Sequence, residues 1–162
     1  MKSLFSKFNM LSLKINPSLL LLSLGFSFCL SVPVQAADFR SISPVKAIGY
    51  DAPSVEASKI YIMGQGYPVE VIVNLGAWVK VRDQRGGLTW VEAKDLDVKR
   101  TVLVVSDAEI KETESPDAKL LAMVEKQVIL ELASPEVSKS WVKVKHRDGI
   151  VGYIQRSAIW GF

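Results

Sequence analysis

The sequence predicts an all-β protein built from two tandem copies of one small domain, and three observations support this prediction. A five-residue segment occurs twice, as WVKVR at Trp78–Arg82 and as WVKVK at Trp141–Lys145. Apolar and polar side chains alternate in both copies with the period of two that is typical of a half-buried strand. The pairs Gly86-Gly87 and Asp148-Gly149 then supply the positive-φ residues that a tight hairpin needs. Short strands separated by such turns indicate a small barrel or sandwich.

The duplication continues beyond the two strands. Twelve residues after each tryptophan stand the related pairs Trp90-Val91 and Tyr153-Ile154. The only helical segments that we expect are single turns within residues 91–96 and 155–159. We expect Trp90 and Tyr153 to pack against these turns.

The upstream parts of the two copies also align. Residues 59–63 match residues 119–123, and Tyr50 then matches Ile110. The offset between the copies is 60 residues there and 63 residues at the tryptophans. The second copy is therefore expected to contain about three extra residues, which fit a loop at 133–140. Each copy spans roughly 55 to 60 residues, at the low end of domain sizes.

The first 36 residues have the pattern of a secretory signal peptide. An apolar run at residues 19–30 is followed by small residues, and we place cleavage between Ala36 and Ala37. Twelve apolar residues fall short of the roughly 20 that span a bilayer, so the main alternative, an uncleaved anchor, is less favoured. The positive residues before the run are Lys2, Lys7 and Lys14.

Removal of this leader changes the charge and the cysteine content. The 162-residue chain has 20 basic and 17 acidic residues and a net charge of +3. Without the three leader lysines it has 17 of each, which argues against nucleic acid as a partner. The single cysteine, Cys29, is also in the leader. We therefore expect a periplasmic or secreted protein that has no disulfide and no stable membrane span after cleavage.

A catalytic or cofactor-dependent function is not expected. The chain has one histidine, His146, and no cysteine after the leader, which excludes a Cys-His pair and a histidine metal cluster. The triplet His146-Arg147-Asp148 resembles part of a kinase catalytic loop, but Asp148-Gly149 is better explained as a turn. Gly64-Gln65-Gly66 has no third glycine and no following helix, so it does not predict a phosphate loop. We predict no catalytic residues, no metal ligands and no cofactor.

The pattern also predicts how the chain is divided. The connection between the copies is short and charged, unlike a flexible tether, so we expect the two barrels to pack closely side by side. The predicted segments are a signal peptide (1–36), an N-terminal extension (37–45), a first domain (46–98), a short linker (99–103) and a second domain (104–162).

Three motifs in the first copy resemble the bacterial Src-homology-3-like (SH3-like) family. A short turn of the family, ending in Gly/Ala-Pro-Ser, corresponds to residues 50–54 (YDAPS). Residues 66–71 (GYPVEV) resemble the start of its second strand, where a glycine, one further residue, and a proline or threonine precede valine. Trp78-Val79-Lys80-Val81, with the later Gly86 and Trp90-Val91, resembles its ending. The resemblance covers the whole chain after the leader as two copies, and it implies SH3-like barrels and association with the cell wall.

The chain departs from the members of that family that recognise cell-wall peptides. Those members often have an Asn-x-Arg-x-Gly-Pro turn, whereas this chain has Tyr50-Asp51-Ala52-Pro53 and lacks the arginine. In the second copy, residues 110–114 lack the proline as well. The ligand preference of those members is therefore not carried over to this chain.

The candidate ligand-binding residues are aromatic and basic side chains that share one face of the strands. Alternation directs Val79 and Val81 to one side and places Trp78 beside Lys80 on the other. Exposed aromatic side chains are common contacts for peptides and sugars. The full set of groove candidates is Tyr50, Tyr67, Trp78, Lys80, Trp141 and Lys143.

Two functions remain open from the sequence. In the first, the protein is an exported, non-catalytic binding module that recognises a cell-wall peptide or an envelope protein. In the second, it is a structural or scaffolding envelope protein whose tryptophans seal a barrel end or the junction between the domains. Trp160 and Phe162 are apolar enough to take part in such an interface. The sequence does not indicate an oligomeric state.

Overall fold

The computed structural model describes residues 37–138 and 140–162, and all of its strands belong to two seven-stranded antiparallel sheets. The signal peptide predicted for residues 1–36 lies outside the described residues. The first sheet contains β1 (Phe39–Ile42), β2 (Lys46–Tyr50), β3 (Lys59–Gly64), β4 (Pro68–Asn74), β5 (Trp78–Arg82), β6 (Leu88–Glu92) and β7 (Leu96–Asp97). The second contains β8 (Thr101–Val104), β9 (Ala108–Lys111), β10 (Leu120–Val124), β11 (Ile129–Val137), β12 (Trp141–Lys145), β13 (Val151–Gln155) and β14 (Ile159–Trp160).

The two sheets have the same topology. Their strand orders are β3-β2-β6-β5-β4-β1-β7 and β10-β9-β13-β12-β11-β8-β14, so each strand of the second sheet follows its counterpart by seven positions. Single 3₁₀ turns at Ala93–Asp95 and Arg156–Ala158 lie within the segments predicted to be helical. Gly86 and Gly149 have φ values of 86° and 90° in the equivalent hairpins. The predicted all-β duplication is therefore confirmed.

Strands β1 and β8 lie wholly or partly in segments that the sequence predicted to be an N-terminal extension and a linker. Strand β1 falls within the expected N-terminal extension, 37–45, and pairs with both β4 and β7. Strand β8 begins within the expected linker, 99–103, and pairs with β11 and β14. Each has only four residues, and all four residues of β8 are buried, so neither shows the alternation that reveals a half-buried strand.

Strand pairing corrects the alignment of the two copies. Tyr50 pairs with Trp90, and the equivalent Tyr153 pairs with Lys111. The counterpart of Tyr50 is therefore Lys111, and the match to Ile110 was wrong by one residue. The offset is 61 residues at this strand rather than 60, so the second copy gains two residues before Trp141 instead of three.

The extra residues lie in β11. In the first sheet the register moves from Val71 opposite Val81 to Asn74 opposite Val79. In the second sheet it moves from Leu132 opposite Val144 to Val137 opposite Val142. Five steps along β11 thus correspond to three steps along β4, and the added residues extend this strand at its irregular end.

Each barrel has its own apolar core, as the alternation predicts. Val79 and Val81 are buried in the first core, and Val142 and Val144 are buried in the second. The intervening Lys80 and Lys143 are directed away from these cores and are only partly buried.

At one pair of facing positions, each barrel has a glycine on one strand and a larger residue on the other. The glycine is on β2 in the first barrel and on β13, the counterpart of β6, in the second. In the first barrel Gly49 of β2 faces Thr89 of β6, and a Cβ atom at Gly49 would lie 2.8 Å from Thr89 Oγ1. In the second barrel the equivalent strands carry Ile110 and Gly152, and a Cβ atom at Gly152 would lie 2.7 Å from Ile110 Cγ2. Each barrel therefore has room for one side chain at this position, supplied by opposite strands.

The two barrels meet through polar and aromatic contacts. Thr101 of β8 donates a hydrogen bond of 2.6 Å to the carbonyl oxygen of Gly66 in the first barrel, and its hydroxyl lies 2.8 Å from that of Ser41. The rings of Phe39 and Trp160 pack edge to face, with 5.2 Å between their centroids. Among residues 37–138 and 140–162, the structure contains no helix with the length and apolarity to span a bilayer.

Candidate ligand-binding face

The first barrel gathers three aromatic rings and a lysine on the outer side of its sheet. We call this group the aromatic face and define it as Tyr50 of β2, Trp78 and Lys80 of β5, and Trp90 of β6. Trp90 lies directly opposite both Tyr50 and Lys80 in the strand pairing. The rings of Tyr50 and Trp78 meet edge to face at 5.2 Å, and Lys80 Nζ lies 5.7 Å from the centre of the Trp90 ring.

The members of the aromatic face differ in how accessible they are. Tyr50 is only 6% exposed and packs against the Trp78 ring at an interplanar angle of 88°. Trp78, Lys80 and Trp90 are partly exposed. A molecule in solution thus reaches two indole rings and one ammonium group whose positions are restrained by ring stacking and cation–π contact.

Exposed apolar side chains lie on the neighbouring edge strand. Strand β3 is at the edge of the sheet and pairs only with β2 among the described strands. Its Met63 is buried, whereas Ile60 and Ile62 are 48% and 64% exposed on the opposite side. Ile62 lies opposite Ile48 of β2, on the same side of that strand as Tyr50. This part of the first sheet therefore offers apolar surface beside a free strand edge.

The same positions in the second barrel form a different surface. Trp141 is 9% exposed, so little of its ring is accessible. Lys143 Nζ lies 5.8 Å from the centre of the Tyr153 ring, which repeats the contact of Lys80 with Trp90. Lys111, however, stands where the first barrel has Tyr50, and its ammonium group lies 2.7 Å from the carboxylate of Glu109. The second copy is therefore charged where the first is aromatic.

Tyr67 belongs to a different group from the other candidates. It packs with Tyr61 beside the turn between β5 and β6, where the Tyr61 hydroxyl donates a 3.5 Å hydrogen bond to Asp83. Burial, together with the negative charge of Asp83, raises the pKa of Tyr61 to about 12. Burial also raises the pKa of Tyr67, although a hydrogen bond from the Gln84 backbone opposes the shift. Both phenols stay neutral at physiological pH.

Trp90 is the member of the aromatic face that the sequence reasoning did not select. In the structure Thr89 and Val91 on either side of it are buried, and the sequence signal for this was the position of Trp90 next to the apolar Val91 in an alternating strand. Alternation then requires Trp90 to point outward, opposite Lys80. The sequence was instead interpreted as placing Trp90 against the helical turn that follows it.

His146 has a structural role in the β12–β13 turn. Its Nδ1 atom accepts a 3.3 Å hydrogen bond from the backbone N–H of Asp148 and lies 3.2 Å from the Asp148 carboxylate. Asp83 holds the equivalent turn of the first barrel by accepting hydrogen bonds from the backbone N–H groups of Arg85 and Gly87. In the described part of the chain, no three His, Cys, Asp or Glu side chains come together as possible metal ligands.

Comparison with solved structures finds similar chains of low sequence identity. NlpC2 from Trichomonas vaginalis is 15% identical with a TM-score of 0.35, and the match covers 78% of this chain and 48% of that one. NlpC1 from the same organism is 16% identical with a TM-score of 0.37, covering 80% and 47%. An NlpC/P60 family protein from Bacillus cereus is 17% identical with a TM-score of 0.34, covering 75% and 55%. The chain thus spans about half the length of these proteins.

No curated protein matches the sequence. The sequence model of the bacterial SH3 domain, in contrast, matches it twice, at residues 44–97 and 114–161. The two matches fall on the two barrels and together cover more than half of the chain. The protein therefore belongs to the bacterial SH3 domain family, of which it carries two tandem copies.

Proposed function

We propose that the protein is an exported, non-catalytic binding module that recognises a cell-wall peptide or an envelope protein through the aromatic face of its first barrel. One observation carries this proposal: Trp78 and Trp90 are partly exposed on the same face of the sheet, where Trp78 packs against a buried tyrosine and Trp90 against a lysine. The export signal predicted for residues 1–36 supports a location in the envelope.

The chemistry of the aromatic face suits a peptide. Indole rings that are already fixed lose little conformational entropy when a ligand covers them, so their burial contributes strongly to binding. Lys80 adds a cation that a peptide carboxylate or carbonyl group can contact. The free edge of β3, with Ile60 and Ile62 beside it, permits the peptide backbone to pair as an additional strand.

A scaffolding role is the second candidate, and the packing of two tryptophans within the structure favours it. Trp160 packs against Phe39 between the barrels, and Trp141 is almost fully covered. Trp141 is thereby withdrawn from solvent, and the partly exposed Trp160 is engaged in the contact between the barrels. The proposal for the first barrel therefore depends on Trp78 and Trp90 alone among the tryptophans.

Sedimentation with purified cell-wall sacculi tests the proposal. Trp90→Ala removes a ring of the aromatic face, while Tyr153→Ala removes the equivalent ring of the second barrel and is the matched control. We expect Trp90→Ala to weaken retention about tenfold, as for a central interface tryptophan, and Tyr153→Ala to have little effect. Lys80→Ala and Lys143→Ala form a second matched pair, since both lysines lie over a ring at nearly the same distance.

The second arm of the test measures whether proteins from an envelope extract bind the immobilised protein. If neither sacculi nor envelope proteins retain the protein, binding by the aromatic face is refuted. Equal losses in Trp90→Ala and Tyr153→Ala would likewise contradict it, because the two barrels would then not differ. Circular dichroism of each variant ensures that a loss of binding does not come from unfolding.

A further inference from the structure

A cleft lies between the two barrels, apart from the aromatic face. It is a cleft of about 820 Å³ that contains residues of both copies and of the connection between them. We call it the seam cleft, and the side chains that matter for its chemistry are Gln65, Lys99, Gln127, Glu131, Lys145 and Arg147. The seam cleft shares no residue with the aromatic face.

Positive charge prevails in the seam cleft. Lys99, Lys145 and Arg147 line it against a single carboxylate, that of Glu131, so the charged side chains sum to +2 when the lining His146 is neutral. Glu131 lies 3.0 Å from Lys99 and compensates that cation. The Arg147 side chain is 89% exposed, and its nearest carboxylate among the described residues, that of Asp148, is 3.9 Å away. Lys145 lies opposite Glu131 in the strand pairing but forms no ion pair with another described residue, so it and the loosely paired Arg147 are the cations that a ligand can reach.

Gln127 has an unfavourable backbone conformation at the wall of this cleft. It is the one residue other than glycine with a positive φ in the described chain, at 75°. Its counterpart in the first barrel is Gly66, which has a φ of 77° and also lines the cleft. Both backbone N–H groups make the same hydrogen bond, to Val104 and Ile42 respectively. The second copy thus keeps a glutamine where the geometry favours glycine, and the exposed amide has no hydrogen bond to another described residue.

We propose that the seam cleft binds an acidic peptide segment. Lys145 and Arg147 would pair with its carboxylates, and the amide of Gln127 would hydrogen-bond its backbone. Glu131 would accept N–H groups of a peptide, and because only two cations of the lining remain beyond the Lys99–Glu131 pair, a segment with spaced carboxylates fits better than a densely charged nucleic acid. This inference goes beyond the proposed function and does not rest on it.

Binding of hexaglutamate to the protein tests the inference, with hexaglutamine as the uncharged reference. We expect Lys145→Gln or Arg147→Gln to weaken hexaglutamate binding about tenfold, the effect of one charge-assisted hydrogen bond. Arg85→Gln is the matched control, because it removes one positive charge from the turn of the first barrel, outside the cleft lining. Gln127→Gly keeps the backbone conformation and removes only the amide, so it should also weaken binding while the fold persists.

The outcomes separate the possible partners. The inference is overturned if hexaglutamate binds no better than hexaglutamine, if Arg85→Gln weakens binding as much as Arg147→Gln, or if a six-nucleotide single-stranded DNA binds more tightly. A purified muropeptide that displaces hexaglutamate supports the cell wall as the source of the carboxylates, and failure to displace it excludes that source. Trp90→Ala should leave hexaglutamate binding unchanged, so the failure of this inference and that of the proposed function are distinguishable.

Discussion

Single residues show how far two copies of one domain have diverged while they keep the same backbone. Gly66 and Gln127 have φ values within two degrees of each other, at 77° and 75°. Only the second position carries a side chain in the left-handed region, where the Cβ atom crowds the following carbonyl oxygen. A polar side chain at a strained position is a reason to examine its surroundings for a function.

Replacement of Gln127 by glycine should stabilise the protein. We expect an increase of about 1 kcal/mol in the free energy of unfolding, because glycine adopts a positive φ without the steric penalty. Urea denaturation measures the change, and the reciprocal Gly66→Gln should destabilise the protein by at least a similar amount. If Gln127→Gly lowers the stability, the side chain must contribute an intramolecular contact that outweighs its strain.

Tyr61 predicts a loss of stability at alkaline pH. Its pKa in the folded protein is about 12, above the ordinary value near 10 in the unfolded chain. The neutral phenol is thus favoured by folding, so this contribution is complete below pH 10 and is lost as the pH rises through about 12. The phenolate absorbance of the protein minus that of Tyr61→Phe gives the pKa directly. Asp83→Asn should lower it only partly, since burial is the larger cause, and a value near 10 in the parent protein would contradict the assignment.

At the level of elements, strand pairing determines details that sequence similarity cannot. Sequence identity favours an offset of 60, which aligns Lys59 with Lys119 and Met63 with Met123, but the strands pair according to an offset of 61. Only the cross-strand partners of Trp90 and Tyr153 show that Tyr50 corresponds to Lys111. This one-residue difference matters for function, since it replaces an aromatic residue with a charged one on the outer side of the second barrel.

The close approach of Gly49 on β2 to Thr89 on β6 predicts that substitutions at these two positions have strongly coupled effects on stability. Gly49→Ala should destabilise the protein by about 1–3 kcal/mol, because its Cβ atom would overlap Thr89, which also donates a 2.8 Å hydrogen bond to the Tyr50 carbonyl oxygen. In the double variant Gly49→Ala/Thr89→Gly the overlap is absent. A double-mutant cycle by urea denaturation should therefore give a cost smaller than the sum of the single variants. Additive costs would show that the two positions do not share one space.

For the whole molecule, the contacts between the barrels predict that the two unfold together. Thr101→Val keeps the shape of the side chain and leaves the Gly66 carbonyl oxygen without its 2.6 Å hydrogen bond. We expect a loss of about 1–3 kcal/mol in the free energy of unfolding and a broader thermal transition.

Calorimetry gives the ratio of van't Hoff to calorimetric enthalpy, which should be near one in the parent protein and lower in the variant. Thr113→Val, an exposed substitution, is the control. Two separate transitions in the parent protein would contradict this coupling.

The sequence predicted features that are written in short segments better than those that depend on distant pairing. The duplication, the alternation around Val79 and Val81 and the glycine turns were readable because each is a local periodic pattern. Strands β1 and β8 were not, because their partners are distant in sequence and their residues do not alternate. The aromatic face was predicted in part: Trp78 and Lys80 share a strand, whereas Trp90 joins them only through pairing with β5. The seam cleft depends on how two barrels meet, which no single repeat encodes.

The reversed placement of glycine in the two cores bears on how the protein avoids misassembly. Tandem copies of one domain are prone to exchange strands during folding. A barrel that took β9 in place of β2 would set Ile110 against Thr89, with two side chains in the space for one. The opposite exchange would set Gly49 against Gly152 and leave that space empty. Both hybrid barrels are therefore less stable than the native pair, so each copy selects its own strands although the two share the same topology.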